Sequence, residues 1–159
     1  MAFEPTDDEI HRLLEESKLL PADFRKRIGL KTKMGHKEQQ IDVKGGDGSE
    51  FRLILRQAVL NPLDFSIILG YRVPKTNEVY RLRRYNGKSH EHTNKLEGDR
   101  FYEYHIHMAT ARYREAGLSE DTFAEPTDRY SDYGGALNCM LSECGFEVPD
   151  DRQQTLFEN

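Results

Sequence analysis

The stretch "QQIDVKGGDGSEFRLILRQ", residues 39–57, decides the fold of this chain. It holds two runs of strand-forming residues separated by a glycine-rich turn, a pattern typical of a β-hairpin. Similar runs follow at residues 65–73, 78–85 and 101–108, and the turn signals "NPLD" and "PKTN" separate the first of them. Because connections this short cannot hold a parallel crossover, the sequence predicts an antiparallel meander of about five strands.

Helical patterns flank the meander on both sides. Thr6 and Glu9 form a capping-box pattern ahead of a helix that we predict from residue 7 to residue 17. On the C-terminal side, helix formers precede Gly117, and a final helix is predicted to begin after Thr127 as its N-cap. The order of elements predicts an α+β fold in which N-terminal and C-terminal helices pack on one face of the sheet.

Length and composition set further expectations. The chain has 159 residues, of which 36% are hydrophobic, and eight Tyr and eight Phe can build a core. We therefore expect one α+β domain over residues 1–148 and a mobile tail over residues 149–159, which show no periodic pattern. No apolar run approaches the ~20 residues of a membrane span, and the first residues lack a signal-peptide pattern, so we expect a cytoplasmic protein without a membrane partner.

Charge is distributed unevenly along the chain. The net charge is -5, yet residues 44–100 carry eleven Lys or Arg against seven Asp or Glu. A basic middle between acidic flanks favours a surface for an anionic partner, although a solvated sheet face would show the same composition.

Four of the six histidines lie in two H-x-H pairs within residues 85–108. The alternation of a strand over residues 101–108 places His105 and His107 on one face, and we expect that face to be the open one. Its opposite face is expected to join the core through Tyr102, Tyr104, Ile106 and Met108. The other pair, His90 and His92, lies in the preceding polar loop.

Cationic residues accompany these histidines. Arg81 and Arg83 are predicted to share a strand face, and Arg84 and Lys88 follow towards the loop. A zinc site would need a third ligand beside an H-x-H pair, but these cations repel a dication and no Cys or Asp stands at a recognised ligand spacing. We therefore predict neither a metal nor another cofactor, with a metal-dependent hydrolase left open as a third option, and assign Arg81, Arg83, Arg84 and Lys88 to anion binding.

Metal-free acid–base chemistry is the favoured interpretation of the histidines. Two imidazoles near neutral pH can share the roles of base and acid while cations stabilise a phosphorane, as in RNA cleavage by 2′-hydroxyl attack. The predicted catalytic residues are His90, His92, His105 and His107. The same loop also has the composition of a recognition surface, so a non-enzymatic binding module remains open.

The run Arg84, Tyr85, Asn86 followed by two histidine pairs resembles the TumE-type toxins of bacterial toxin–antitoxin pairs, over about residues 51–110. The segments "LEGDRFYEYHIHMATARYREAG" and "AEPTDRYSDYGGAL" also resemble an uncharacterised family of small prokaryotic proteins. The first resemblance implies a metal-independent ribonuclease-type toxin or a related defence protein, with RNA and a cognate antitoxin or defence-complex protein as partners. The toxins are shorter, and the acidic C-terminal helices have no counterpart in them. The alternative is a binding module such as a phage- or mobile-element-encoded inhibitor, whose acidic flanks would hold a basic partner.

Overall fold

A computed structural model describes residues 2–28, 31–33 and 35–149. In this part of the chain the helices are α1 (Asp7–Glu15), α2 (Phe24–Arg27), α3 (Ala111–Glu115) and α4 (Tyr133–Glu143). The strands are β1 (Lys18–Leu19), β2 (Lys31–Lys33), β3 (His36–Lys44), β4 (Glu50–Ala58), β5 (Phe65–Arg72), β6 (Val79–Asn86), β7 (His92–Thr93), β8 (Arg100–Phe101), β9 (His105–Met108), β10 (Ala124–Pro126) and β11 (Phe146–Glu147). The tail predicted to be mobile lies outside the described residues from position 150 onward.

Seven strands form one antiparallel sheet in the order β10-β9-β6-β5-β4-β3-β2. The predicted five-strand meander corresponds to β3, β4, β5, β6 and β9, and the short strands β2 and β10 extend its two edges. The α+β fold, with an antiparallel meander and helices at both ends, is confirmed. No helix in the described ranges is long and apolar enough to cross a membrane.

One face of the sheet carries the hydrophobic core. Alternate residues of β3, β4, β5, β6 and β9 point to this face, and α1 and α4 contribute the apolar side chains that pack on them. The core side chains of the strands include Ile41, Val43, Phe51, Leu53, Leu55, Phe65, Ile67, Leu69, Leu82, Tyr85 and Ile106, and those of the two helices include Ile10, Leu14, Leu137, Met140 and Leu141.

The two terminal helices begin at side-chain caps. The predicted capping box of Thr6 and Glu9 is present at α1. The prediction for α4 was wrong, since Asp132 rather than Thr127 is its N-cap. The amide of Thr127 instead donates to the carbonyl of Tyr104 at 2.8 Å, which continues the sheet hydrogen bonding past β10.

The side chain of Lys18 connects the C-terminal ends of α1 and α4. It is fully buried, and its Nζ lies 2.8–3.0 Å from four backbone carbonyl oxygens, which share its three N–H donors. Three of these carbonyls belong to residues 13, 14 and 16 at the end of α1, and the fourth is that of Cys144 at the end of α4. One ammonium thus satisfies carbonyls that two helix C-termini leave without intrahelical donors.

An irregularity in β6 changes which arginines share a face. The register of β5 against β6 shifts between Leu69 and Gly70. Leu69 pairs with Arg83 and Gly70 pairs with Arg81, so Leu82, which lies between the two arginines, is bulged. Arg81 consequently lies on the same side as Arg84, whereas Arg83 contacts the core side near α4. The prediction that Arg81 and Arg83 share a face was wrong for this reason.

Candidate functional site

Three of the four histidines of the H-x-H pairs converge. One ring nitrogen from each of His92, His105 and His107 lies within 4.8 Å of the other two. The ring centroids are 5.0 Å apart for His92 and His107, 5.0 Å for His105 and His107, and 5.3 Å for His92 and His105. We call these residues the three-histidine cluster.

Strand register places two members of the cluster. His105 lies opposite Asn86 and His107 lies opposite Arg84 in the pairing of β9 with β6. Because alternate residues of a strand share a face, both imidazoles leave the sheet on the side away from the core, while Ile106 between them packs into the core. The predicted common face of His105 and His107 is therefore present.

That face is not open, contrary to the prediction. His105 is 1% exposed and His107 is 5% exposed. The strand predicted over residues 101–108 is interrupted, because β8 pairs with β7 in a separate hairpin and only β9 joins the main sheet. The interruption leaves Tyr102 51% exposed rather than in the core. The β7–β8 hairpin folds over the outer face and covers the two imidazoles.

The hairpin also supplies the third histidine. The Phe101 ring of β8 lies 5.4 Å from the ring of His92 and 5.7 Å from that of His105. The buried Asn94 ties the hairpin to β10, since its Oδ1 accepts from the amide of Ala124 at 2.9 Å and its Nδ2 donates to the carbonyl of that residue at 2.7 Å. These two hydrogen bonds fix the position of His92 relative to β9.

Hydrogen bonds define the protonation of two rings. The amide oxygen of Asn94 lies 2.8 Å from Nε2 of His92, so this nitrogen carries the proton and Nδ1 is left with a lone pair. In His105, Nδ1 donates to the carbonyl of Glu103 at 2.9 Å. Its Nε2 is therefore unprotonated, and it is buried without a hydrogen-bond partner among the described residues.

The third ring is arranged differently, because its Nε2 accepts a hydrogen bond and its proton therefore lies on Nδ1. Nε2 of His107 lies 3.3 Å from the amide nitrogen of Asn86, whose oxygen accepts from Ser66 and Arg84. The backbone of Asp121 approaches this ring, but Nδ1 forms no hydrogen bond of normal geometry in the described structure. Each buried imidazole of the cluster thus keeps one nitrogen without a normal hydrogen bond in the described structure, an unprotonated Nε2 in His105 and a protonated Nδ1 in His107, although such groups are rare in folded proteins.

Burial also keeps these rings uncharged. Loss of hydration, with smaller contributions from neighbouring imidazoles and from Arg84, lowers the pKa of His105 to about 4 and that of His107 to about 2. Both imidazoles are neutral near pH 7, the state in which histidine binds metals. Side chains that are this buried and this weakly basic are poorly suited to exchange protons directly with a substrate in solution.

The remaining two predicted loop residues lie at the surface. His90 is exposed, its Nδ1 lies 3.1 Å from the hydroxyl of Ser89, and its ring centroid is 6.4 Å from that of His105. Lys88 is exposed, and its backbone amide donates to the carbonyl of Leu63 at 2.8 Å. The structure therefore separates the four predicted catalytic histidines into a covered group of three and one neighbour at its edge.

Each arginine of the predicted anion-binding set has a carboxylate beside it. Arg81 contacts Glu120 at 3.2 Å and Asp121 at 3.4 Å, Arg84 contacts Asp121 at 3.3 Å, and Arg83 contacts Glu143 at 3.7 Å. The expectation that these cations repel a dication rested on unpaired charges. Because carboxylates from the C-terminal third compensate them, that objection to a metal loses most of its force.

The cluster fits a divalent transition metal. Three imidazoles with one nitrogen each inside a 4.8 Å group match the donor set of a tetrahedral site with a fourth, open position. His107 would bind the metal through a nitrogen freed either of its proton or of its hydrogen bond to Asn86. The bonds from Nδ1 of His105 to Glu103 and from Nε2 of His92 to Asn94 are the outer contacts that typically orient metal-binding histidines.

Sequence reasoning missed the residues that organise the cluster. Asn86 and Asn94 are 4% and 2% exposed, and each contacts one ring of the cluster. Asn86 lies four positions before His90 and Asn94 lies two positions after His92, but a single Asn near a histidine pair has no distinctive pattern. Asp121, which pairs with two arginines, is separated from them by almost forty residues.

Comparisons of the chain with protein-family models, with curated proteins and with solved structures give no match. The resemblance to TumE-type toxins therefore stays a prediction.

Proposed function

We propose that this protein is a metal-dependent hydrolase that cleaves RNA, with a divalent metal of the zinc type held by His92, His105 and His107. The observation that carries the proposal is the convergence of three ring nitrogens within 4.8 Å of one another. Histidine-rich sites with an open fourth position are typical of catalytic rather than structural zinc.

A metal held there would lower the pKa of a bound water and so supply a nucleophile near neutral pH. The protein's own contribution is orientation. Asn94 and the carbonyl of Glu103 hold two rings in fixed tautomers, and Phe101 packs beside them. The half-buried His92 lies at the edge of the cluster nearest the surface, so this edge is the route for water and substrate.

RNA as the substrate is supported by the resemblance to ribonuclease toxins and by the exposed Lys88 and His90 beside the cluster. Relative to the metal-independent mechanism expected from the sequence, the proposal changes the role of His105 and His107. Buried, neutral imidazoles are better suited to binding a metal than to donating protons to a substrate.

Metal content and RNA cleavage test the proposal together. We expect the purified protein to bind one Zn²⁺ or Co²⁺ per chain, with the absorption spectrum of tetrahedral Co²⁺. We also expect it to cleave single-stranded RNA in a reaction that EDTA stops and Zn²⁺ restores. His105→Phe and His107→Phe should lose both properties, whereas His11→Phe, an exposed histidine outside the cluster, should retain them.

Two results would contradict the proposal. A chain that binds neither metal refutes the metal site. Cleavage that resists EDTA but disappears in His90→Ala would instead return the mechanism to metal-independent acid–base chemistry.

A second candidate function is a non-enzymatic protein-binding module, for which an apolar loop is the specific observation. Leu60 is 96% exposed, and Val59 and Leu63 in the same β4–β5 connection are 42% and 41% exposed. Adjacent exposed apolar side chains often mark a contact site for another protein, such as an antitoxin or a defence-complex subunit. Co-purification of such a partner with the parent chain but not with Leu60→Asp, without any RNA cleavage, would favour this function.

A further inference from the structure

The surface beside the three-histidine cluster has features that select a particular class of nucleic acid. Residues 87–90 run from the end of β6 towards the hairpin, over the buried Asn86. Two backbone hydrogen bonds hold this segment in place. The amide of Gly87 donates to the carbonyl of Phe65 at 3.0 Å, and the amide of Lys88 donates to the carbonyl of Leu63 at 2.8 Å. Its path connects the β4–β5 loop with the cluster.

Residues 87–90 and the β4–β5 loop approach each other closely at Gly87. A Cβ at Gly87 would lie 1.8 Å from the carbonyl oxygen of Leu63, so only glycine fits at this point. The close approach fixes the backbone from which Lys88 projects into solvent. A positive charge is thus held between the β4–β5 loop and the cluster rather than on a freely moving loop.

An exposed aromatic ring stands beside the same segment. The hydroxyl of Tyr102 donates to the carbonyl of Ser89 at 3.1 Å, although the residue is 51% exposed. A tyrosine anchored by its hydroxyl presents its ring to solvent in a restricted orientation. Such rings are the platforms on which unpaired bases stack.

A cavity of about 300 Å³ opens at the other end of the segment. Its lining includes His36, Arg56, Gln57, Asp64, Phe65 and Ser66. The Gln57 amide and the Asp64 carboxylate suit a hydrogen-bonding group, and this volume is at the lower end of ligand sites. Because Arg56 is paired with Glu38 at 3.2 Å and Asp64 would repel a phosphate, a nucleobase with an amino group fits the lining better than the backbone of a nucleic acid does.

Strand geometry gives the distance between the two ends. Ser66 in the cavity, Asn86 and His105 are successive partners across β5, β6 and β9. At about 4.8 Å between neighbouring strands, the cavity wall at Ser66 lies roughly 10 Å from His105. A mononucleotide carries one base and cannot supply a base to each end, whereas a short oligonucleotide can.

We propose that the surface formed by Lys88, His90, Tyr102 and the cavity at Asp64 binds single-stranded nucleic acid, with an unpaired base stacked on Tyr102 and a second base in the cavity. This inference rests on the proposed function, because it names the substrate class of the same site. In a duplex, stacking covers the faces of the bases and pairing covers their edges. Both are needed for contact with Tyr102 and the cavity, so duplexes are excluded from the site.

Fluorescence anisotropy with labelled oligonucleotides tests the inference. The probes are single-stranded RNA and DNA of equal length, the corresponding duplexes and mononucleotides, all in EDTA with probe integrity checked on gels. We expect the parent chain to bind single strands more tightly than duplexes or mononucleotides. A preference for RNA over DNA would identify contacts to the 2′-hydroxyl, and equal binding would leave single-stranded nucleic acid as the class.

Three substitutions have specific expected effects. Tyr102→Ala should weaken binding by about tenfold, while Tyr102→Phe should keep most of it because the ring remains. Lys88→Gln should reduce the slope of log affinity against log salt by about 1, and Lys44→Gln, an exposed lysine on β3, should leave it unchanged. Asp64→Asn should reduce a preference for adenine and cytosine runs over uracil runs without changing the salt dependence.

The inference is overturned if duplexes bind as tightly as single strands, or if Tyr102→Ala and Lys88→Gln bind like the parent chain. Its failure is distinct from failure of the metal proposal. Metal uptake without oligonucleotide binding refutes the substrate class alone, whereas oligonucleotide binding without metal uptake refutes the metal site alone.

Discussion

Replacing His105 by Phe should have a small effect on stability without metal and a large effect with metal. The six-membered ring of Phe is larger than imidazole, and the substitution removes an Nε2 that is buried without a partner. It also removes the hydrogen bond from Nδ1 to the carbonyl of Glu103, an exposed residue whose carbonyl can turn to water. We expect the tighter packing and the lost hydrogen bond to be partly offset by removal of the unpartnered nitrogen, so the free energy of unfolding without metal should fall by no more than about 2 kcal/mol.

With metal present, the two proteins should differ clearly. A metal at 100 times its dissociation constant adds about 2.7 kcal/mol to the stability of a protein that binds it only when folded. For a chain of this length that corresponds to a rise of about 5–11 °C in Tm. The parent chain should show this rise in Tm. His105→Phe should not show it, because only two of the three ligands remain and they bind the metal too weakly.

Thermal unfolding followed by circular dichroism, with and without Zn²⁺, measures both effects. His11→Phe serves as the matched control and should keep the full shift. The reasoning is refuted if His105→Phe retains the metal-dependent shift. It is also refuted if the substitution costs more than about 3 kcal/mol without metal, since the ring would then have a structural role that the unpartnered nitrogen does not indicate.

Three further predictions follow from contacts in the same structure. Asn94→Ala should lower metal affinity by about 10- to 100-fold, because His92 loses the partner that orients it; unchanged affinity in a competition titration would contradict this. Lys18→Met should lower the free energy of unfolding by about 3 kcal/mol, measured by urea denaturation, since several buried carbonyls lose their donor, and an unchanged midpoint would refute the capping role. Gly87→Ala should weaken oligonucleotide binding by displacing the loop, whereas Gly46→Ala, where a Cβ meets nothing closer than 3.6 Å, should not; equal binding by both would show that the close approach at Gly87 is unimportant.

Sequence patterns were sufficient for the local elements of the sheet. Alternation and glycine turns predicted β3 to β6, because short antiparallel connections leave few alternative pairings. The capping box at Thr6 was predicted for the same kind of reason, since all its contacts lie within three residues. The prediction of a continuous strand over residues 101–108 was wrong because alternation alone does not reveal that β8 pairs with β7 in a separate hairpin.

The sequence by itself also determined that His105 and His107 share a face, since strand alternation acts on neighbours whatever the rest of the chain does. Tertiary structure decided whether that face is open or covered and which side chains surround the two histidines. It covered the two rings with the β7–β8 hairpin, brought in His92 from a loop, and placed Asp121 beside Arg84. These contacts join residues far apart in the chain, and their distances depend on how the hairpin packs and where β6 is bulged. Burial and charge compensation are properties of that packing, and they turn a pair of surface histidines into a candidate metal site.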